Sequence, residues 1–181
     1  MSIRTRADCR EPSLSLRAGF SDQADAGPCV FETSDAGEEW TLLASWNKEA
    51  SEGSSGDGPC IDMAIIKGAG ATGAAWCDLP EARIIGEWTS TLVGSELLAW
   101  GPVAAGRIVR VRIEFAEGPP FQVLTKPTPW DEFDYWYVTL GTNLQPVALV
   151  ALDADDSELA REDISGYPSP TESPTPIGAP S

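Results

Sequence analysis

The sequence predicts an all-β protein, an antiparallel β-sandwich of about eight to ten short strands followed by a disordered C-terminal tail. Short apolar segments alternate with polar residues at a period of two, which is the spacing of a half-buried strand. Turn-forming residues are frequent, with 17 Gly and 15 Pro among 181 residues. Near residue 165 the composition changes to Pro, Ser and Thr, and such a segment buries too little surface to offset its ordering entropy.

These observations divide the chain into three parts. Residues 1–35 carry Pro and Gly at irregular intervals and are expected to be irregular. Residues 36–164 hold the alternating segments and form the predicted sandwich. Residues 165–181 form the predicted disordered tail, an extended linker or stalk.

The first clear strand spans residues 39–46, where Trp40, Leu42, Ala44 and Trp46 share one face. Residues 60–67 predict the next strand, residues 68–73 a flexible glycine-rich turn, and residues 74–77 the returning strand. Residues 83–103 contain short apolar runs separated by Gly, with a short helical turn expected near residues 95–100.

Residues 107–115 give the clearest alternation in the chain. Val109, Val111, Ile113 and Phe115 fall on one face, and Arg110, Arg112 and Glu114 fall on the other. This pattern is typical of an antiparallel sheet with one wet face, so we interpret the arginines as a solvated surface rather than an anion site.

Further strands are predicted at residues 121–124, 134–140 and 145–152. Asp153, Asp155 and Asp156 follow the last of these. Their spacing does not match a calcium-binding EF-hand loop, so we interpret them as an Asp-rich hairpin turn.

Four cysteines, an even number at wide spacing, permit two disulfides. Pairing the ends of the 60–77 hairpin places Cys60 opposite Cys77, and directly opposed strand positions are close enough for a disulfide. Cys9 and Cys29 then remain for each other. The alternative is four unpaired buried thiols in a cytoplasmic protein. No close Cys-x-x-Cys pair suggests zinc, and no metal or cofactor is expected.

Charge and composition narrow the function classes. The net charge of −16 disfavours binding to nucleic acid or anionic lipid. The chain has no His, so Ser-His-Asp and Cys-His catalysis are excluded, and we do not expect an enzyme. No segment approaches the roughly 20 apolar residues of a membrane helix, and no signal peptide is visible.

Residues 130–137 combine aromatic rings with carboxylates, which can bind sugars through ring stacking and hydroxyl hydrogen bonds. We take Trp130, Asp131, Asp134 and Trp136 as the candidate ligand-binding residues. The alternative is that Tyr135 and Tyr137 pack inward while Trp136 covers a sheet edge.

The order of several segments is similar to a known group of domains. These are Gly-Pro-Val at residues 101–103, a strand ending in an acid-Gly turn at 110–118, an aromatic strand at 135–138, and Val-Ala-Leu-Val-Ala-Leu-Asp at 147–153. Over residues 38–161 the chain resembles poorly characterised bacterial exported or membrane-anchored β-sandwich domains. The resemblance implies an extracytoplasmic location and carries over no catalytic residue.

The sequence therefore predicts a noncatalytic interaction or structural domain, extracellular or in the cell envelope, with a protein or a glycan at the cell surface as its partner. The alternative functions are a carbohydrate-binding module with exposed aromatic rings, or a carboxylate-based glycoside hydrolase.

Overall fold

The computed structural model of the chain describes residues 26–34, 40–47, 60–68, 70–77, 79 and 84–166. Within these residues the protein contains twelve strands and no helix. The strands are β1 Ala26–Thr33, β2 Trp40–Asn47, β3 Cys60–Lys67, β4 Gly70–Trp76, β5 Thr89–Val93, β6 Glu96–Ala104, β7 Arg110–Phe115, β8 Phe121–Leu124, β9 Lys126–Pro127, β10 Phe133–Gly141, β11 Pro146–Leu152 and β12 Glu158–Asp163.

The strands form three four-stranded antiparallel sheets. Sheet A has the order β1-β2-β3-β4, sheet B the order β5-β6-β10-β9, and sheet C the order β12-β11-β7-β8. The predicted all-β antiparallel sandwich is confirmed, with more strands than the sequence indicated. Since β8 leads into β9 through Thr125 alone, the chain passes there from sheet C to sheet B.

Sheet B is the middle layer, because two separate apolar cores lie on its two faces. The core between sheets A and B includes Leu42, Ala44, Trp46, Ile61, Met63, Ile65, Trp76, Leu98, Trp100, Phe133 and Tyr135. The core between sheets B and C includes Leu97, Ala99, Val103, Val111, Ile113, Trp136, Val138, Leu140, Leu149 and Ala151. The predicted inward face of β2 is thus confirmed.

Strand β6 is buried on both faces. Leu97 points into the core between sheets B and C, and Leu98 points into the core between sheets A and B. Both side chains have at most 1% of their surface exposed. The helical turn expected near residues 95–100 was wrong: Gly94, with φ 61°, forms the turn, and the apolar run after it is a fully buried strand.

A glycine in β6 makes room for a large ring in β10. Gly101 and Trp136 are directly paired in register. A Cβ atom at position 101 would lie 3.2 Å from Trp136 Nε1. The absence of a side chain at Gly101 therefore lets the indole of Trp136 approach the backbone of β6 closely in the core between sheets B and C.

The β3–β4 hairpin carries the predicted disulfide. Ile61 pairs with Trp76, and Cys60 is bonded to Cys77 across a Cα–Cα distance of 4.0 Å. The sequence separation is 17 residues, and closing a loop of this size stabilises the folded state by about 3 kcal/mol in the chain-entropy model. The turn is shorter than predicted, since β4 begins at Gly70 and Gly68 adopts φ 56°.

Strand β7 has the predicted inward face at Val111 and Ile113, which are both fully buried. Val109 lies outside the strand and is 37% exposed. Ile108, one residue earlier, is buried in the core between sheets B and C instead, so the alternation shifts by one residue just before the strand begins.

Strand β1 lies inside the segment that we expected to be irregular, so the sheet structure begins by Ala26 rather than after residue 35. Cys29 of this strand is 1% exposed. Cys9, its predicted disulfide partner, and residues 167–181 of the predicted tail lie outside the described residues. Those two interpretations stay predictions.

Candidate functional site

The four residues proposed from the sequence as a ligand site do not share a surface. Trp136 is fully buried between sheets B and C, so it offers no ring to a ligand. Trp130 precedes β10 and packs edge-on against Phe31 and Phe133, on the side of sheet A. Asp131 is exposed and Asp134 is half-buried. Alternation along β10 separates Trp136 from the tyrosines that flank it.

A polar cluster lies instead where sheet A meets sheet B, and we call it the Glu32 cluster. Tyr135 and Tyr137 of β10 point toward sheet A, and both donate hydrogen bonds to Glu32 of β1, at 2.8 Å to Oε1 and 3.3 Å to Oε2. Lys126 of β9 forms an ion pair with Glu32 Oε1. Its ammonium also lies 4.6 Å from the centroid of the Tyr137 ring, which is a cation–π geometry.

Aromatic rings surround this cluster. Phe31 stacks on Tyr135 with ring centroids 4.6 Å apart, and Trp40 meets Tyr137 edge-on at 5.9 Å. Glu32 therefore keeps only 20% of its side chain exposed. The rings shield the Glu32 carboxylate from water, which strengthens its hydrogen bonds, while Lys126 keeps 43% of its side chain exposed.

The electrostatics of the Glu32 cluster favour a fixed charge pair. Burial raises the pKa of Tyr135, and its hydrogen bond to Glu32 raises it further, so the phenol stays protonated. Burial lowers the pKa of Lys126, but the hydrogen bonds to Glu32 and Tyr137 outweigh it and the net pKa is raised. The cluster therefore keeps a charged Glu32 next to charged Lys126 and two protein hydroxyl donors, and these contacts connect sheet A to sheet B.

A cleft lies beside the Glu32 cluster, on the other side of Trp40. It has a volume of about 230 Å³ and is lined by Ser34, Trp40, Val93, Gly94, Ser95, Glu96, Leu98 and Thr139. We call it the Trp40 cleft. The β5–β6 turn, Gly94 and Ser95, forms part of its lining, and Thr139 lies on the same face of β10 as Tyr137. A second cleft of about 200 Å³ lies nearby, against Thr72 and Thr91.

The outer face of sheet C carries an ion-pair network rather than the freely solvated arginines that we expected. Arg112 of β7 reaches across β11 to Glu158 at 3.3 Å, and Arg161 of β12 reaches back to Glu114 at 2.7 Å. Val150, the register partner of both arginines, is fully buried between them. The aliphatic stems of the two arginines cover Val150, and their guanidinium groups form ion pairs with Glu114 and Glu158 of the same sheet.

The aspartates after β11 form the predicted hairpin turn. Asp153 Oδ1 accepts hydrogen bonds from the backbone N–H groups of Asp155 and Ser157, both at 2.9 Å. Asp156 has φ 63° and pairs with Arg110 at 2.6 Å. The side chains thus stabilise the turn and the outer face of sheet C.

Strand β8 is an open edge of sheet C. Phe121 is 47% exposed and Leu124 is 62% exposed. Because Thr125 N donates to Val109 O, alternation directs the backbone groups of Val123 toward β7 and those of Gln122 and Leu124 away from it. Among the residues that the structure describes, this edge therefore has no paired strand, and it presents backbone hydrogen-bonding groups next to apolar side chains.

The sequence did not indicate that Glu32, Lys126 and Trp40 come together around Tyr137. Glu32 and Tyr137 are 105 residues apart in sequence, and no local pattern reports such a contact. The one available signal was the alternation of Tyr135 and Tyr137, whose inward packing was the alternative to the predicted ligand site.

Comparisons of the chain with protein families, with curated proteins and with solved structures found no match. Within the described ranges no group of three or more Cys, Asp and Glu side chains is placed to hold a metal ion. The same residues include no helix long and apolar enough to cross a membrane.

Proposed function

We propose that the protein is a noncatalytic interaction domain that works outside the cytoplasm and binds an extended strand of a partner protein at β8. The observation that carries this proposal is the open edge of sheet C. Edge strands with unpaired backbone groups are templates for strand addition, in which main-chain hydrogen bonds supply affinity and flanking side chains supply specificity.

The local chemistry describes the partner strand. Phe121 and Leu124 offer apolar contacts on the two faces of the sheet, because they pair with Ile113 and Arg110 respectively. Pro119 and Pro120 precede β8 and donate no N–H groups, so they limit the added strand to about four or five residues. The partner strand is therefore short, with apolar side chains on both of its faces, about three residues apart.

The net charge of −16 argues for a neutral or basic partner. A second copy of this chain brings the same charge, and like charges oppose association while a basic partner is attracted. The extracytoplasmic location is supported by the Cys60–Cys77 disulfide, since disulfides persist in oxidising compartments.

Site-specific photo-crosslinking in cells that produce the protein naturally tests the proposal. A photo-reactive residue in place of Leu124 should give one dominant adduct with another protein. The matched control replaces Leu159, which is 36% exposed on β12 at the opposite edge of the same sheet. Equal adducts from both positions, or adducts only between copies of this chain, would contradict the proposal.

The partner identified in this way allows a sharper test. Gln122→Pro removes a backbone N–H that points to the open edge and should leave β7 pairing intact, so the complex should weaken at least tenfold. Gln122→Thr keeps that N–H and should change the affinity less than about twofold. Equal affinities of the two variants would show that β8 does not pair with the partner.

A further inference from the structure

The Trp40 cleft has the layered composition of a small-molecule site. Its floor is Leu98, which is fully buried, and its walls are the half-buried Trp40 and Val93. Its rim is polar, with the exposed Ser95, Glu96 and Thr139. Four of the eight described lining residues are polar, so the cleft suits a ligand that carries several hydrogen-bonding groups.

The side walls of the cleft are held in place by other parts of the fold. Ser34 N donates to Trp40 O at 3.0 Å, which joins the ends of β1 and β2 at the cleft. The indole of Trp40 meets Tyr137 of the Glu32 cluster, at the centroid distance given above. The aromatic wall is therefore fixed before any ligand arrives, and such preorganisation lowers the entropic cost of binding.

The volume sets the size of the ligand. A cleft of about 230 Å³ is smaller than the roughly 300–1,000 Å³ of pockets that take drug-sized ligands. That space accommodates one six-membered ring with its substituents. The cleft is therefore a site for a single ring, with any longer ligand extending past the β5–β6 turn into solvent.

The polar lining sets the ligand's chemistry. Ser34, Ser95 and Thr139 carry hydroxyls that both donate and accept hydrogen bonds, and Glu96 accepts only. A neutral ring bearing several hydroxyls matches a mixed set of donors and acceptors beside an aromatic wall. An alkylammonium ligand would use Glu96 and the indole, but because it only donates hydrogen bonds it would leave the O–H donors of the three hydroxyls unused.

We infer that the Trp40 cleft binds a small neutral polyhydroxylated ring, such as one sugar unit or a cyclic polyol. The ring packs against Trp40 and Val93, and its hydroxyls bond to Glu96 and Thr139. The site lies between sheets A and B, apart from the β8 edge of sheet C, so it is independent of the proposed strand partner.

Nuclear magnetic resonance titration of the full chain tests this inference. The probes are glucose, mannose, galactose, N-acetylglucosamine and inositol, with cyclohexylamine as a cationic comparison. At least one neutral probe should shift the amide signals of Gly94, Ser95 and Glu96 saturably, with a dissociation constant on the order of 1 mM. Its affinity should not change between low and high salt, because the ligand is uncharged.

Matched variants locate the ligand. Thr139→Val removes a hydroxyl at an exposed position, and Glu96→Gln removes the acceptor charge, so each should weaken binding about fivefold or more. Thr91→Val removes a hydroxyl from the neighbouring cleft and should change the affinity less than about twofold. These positions leave the core intact, whereas replacing Trp40 would also disturb its contact with Tyr137.

Three results would overturn the inference. The first is the absence of saturable shifts at Gly94–Glu96 with every neutral probe at 50 mM, a concentration about fifty times the expected constant. The second is a loss of binding in Thr91→Val together with normal binding in Thr139→Val. The third is tighter binding of cyclohexylamine that weakens as salt is added, which would identify a cation site.

Discussion

At the scale of single residues, the Glu32 cluster places one carboxylate among three donors from sheet B. The donors come from β9 and β10, and Glu32 comes from the edge strand of sheet A. A half-buried acceptor of this kind is costly to remove, because the donors that remain lose their partner in a region that water reaches poorly. Glu32 therefore contributes to the docking of sheet A onto sheet B.

Glu32→Leu should lower the free energy of unfolding by about 1–3 kcal/mol, since it leaves the Tyr135 hydroxyl and the Lys126 ammonium without their acceptor. Glu32→Gln keeps an acceptor oxygen and should cost less. Denaturant unfolding measures both changes, with Glu117→Leu at an exposed position as the control. Losses for both Glu32 variants that match the control would show that the cluster does not stabilise the fold.

Asp62 differs from Glu32, because folding disfavours the charged form of its carboxyl group. Burial raises its pKa, and the hydroxyl of Ser45, its register partner, offsets part of that rise. The folded state thus binds this proton more tightly than the unfolded state does. The contribution of Asp62 to stability is then greatest at pH values below its unfolded pKa and is lost as the pH rises through its folded pKa.

Asp62→Asn should therefore stabilise the protein at pH 7, and the gain should shrink as the pH falls toward about 3. Thermal unfolding across that range, compared with the exposed-site variant Asp155→Asn, measures the effect. A gain that grows under acid conditions would mean that the carboxylate form of Asp62 is favoured by folding.

At the scale of secondary structure elements, β6 and β10 are buried on both faces because sheet B is the middle layer. An edge or outer sheet tolerates polar residues on one face, as β7 does with Arg110, Arg112 and Glu114. Strand β6 has no such face from Leu97 to Ala104. Its apolar run is therefore required by its position between two cores.

Leu97→Ala and Leu98→Ala should each lower the free energy of unfolding by about 2–5 kcal/mol, although the residues are adjacent and point in opposite directions. Leu92→Ala, at a side chain that is 39% exposed on β5, should cost less than about 1 kcal/mol. Chemical denaturation measures all three. If either buried leucine cost no more than Leu92, one face of β6 would not be packed.

The elements differ in how well their sequences predict them. Strands β2 and β7 could be predicted because alternating apolar side chains mark the face that packs into a core, and the β3–β4 disulfide followed from hairpin pairing. Strand β6 could not, because continuous apolar runs are ambiguous between a buried strand and a helical turn. Trp136 was misplaced for a similar reason: its burial depends on a third sheet that no local pattern indicates.

At the scale of the whole molecule, the backbone hydrogen bonds of the three sheets should differ in their resistance to local unfolding. Strands β6 and β10 are held on both sides by paired strands and on both faces by apolar cores. Strand β8 is bonded on one side only and is largely exposed. The stability of backbone hydrogen bonds should decrease from the middle layer toward the edge of sheet C.

Amide hydrogen exchange resolved to single residues tests this arrangement most directly. We predict that the amides of Leu98, Trp100 and Val138 exchange only through global unfolding, while those of Gln122 and Leu124 exchange fast because they point to the open edge. Equal protection of β6 and β8, or strong protection at Gln122 and Leu124 in the isolated protein, would contradict both the three-layer fold and the open edge on which the proposed interaction depends.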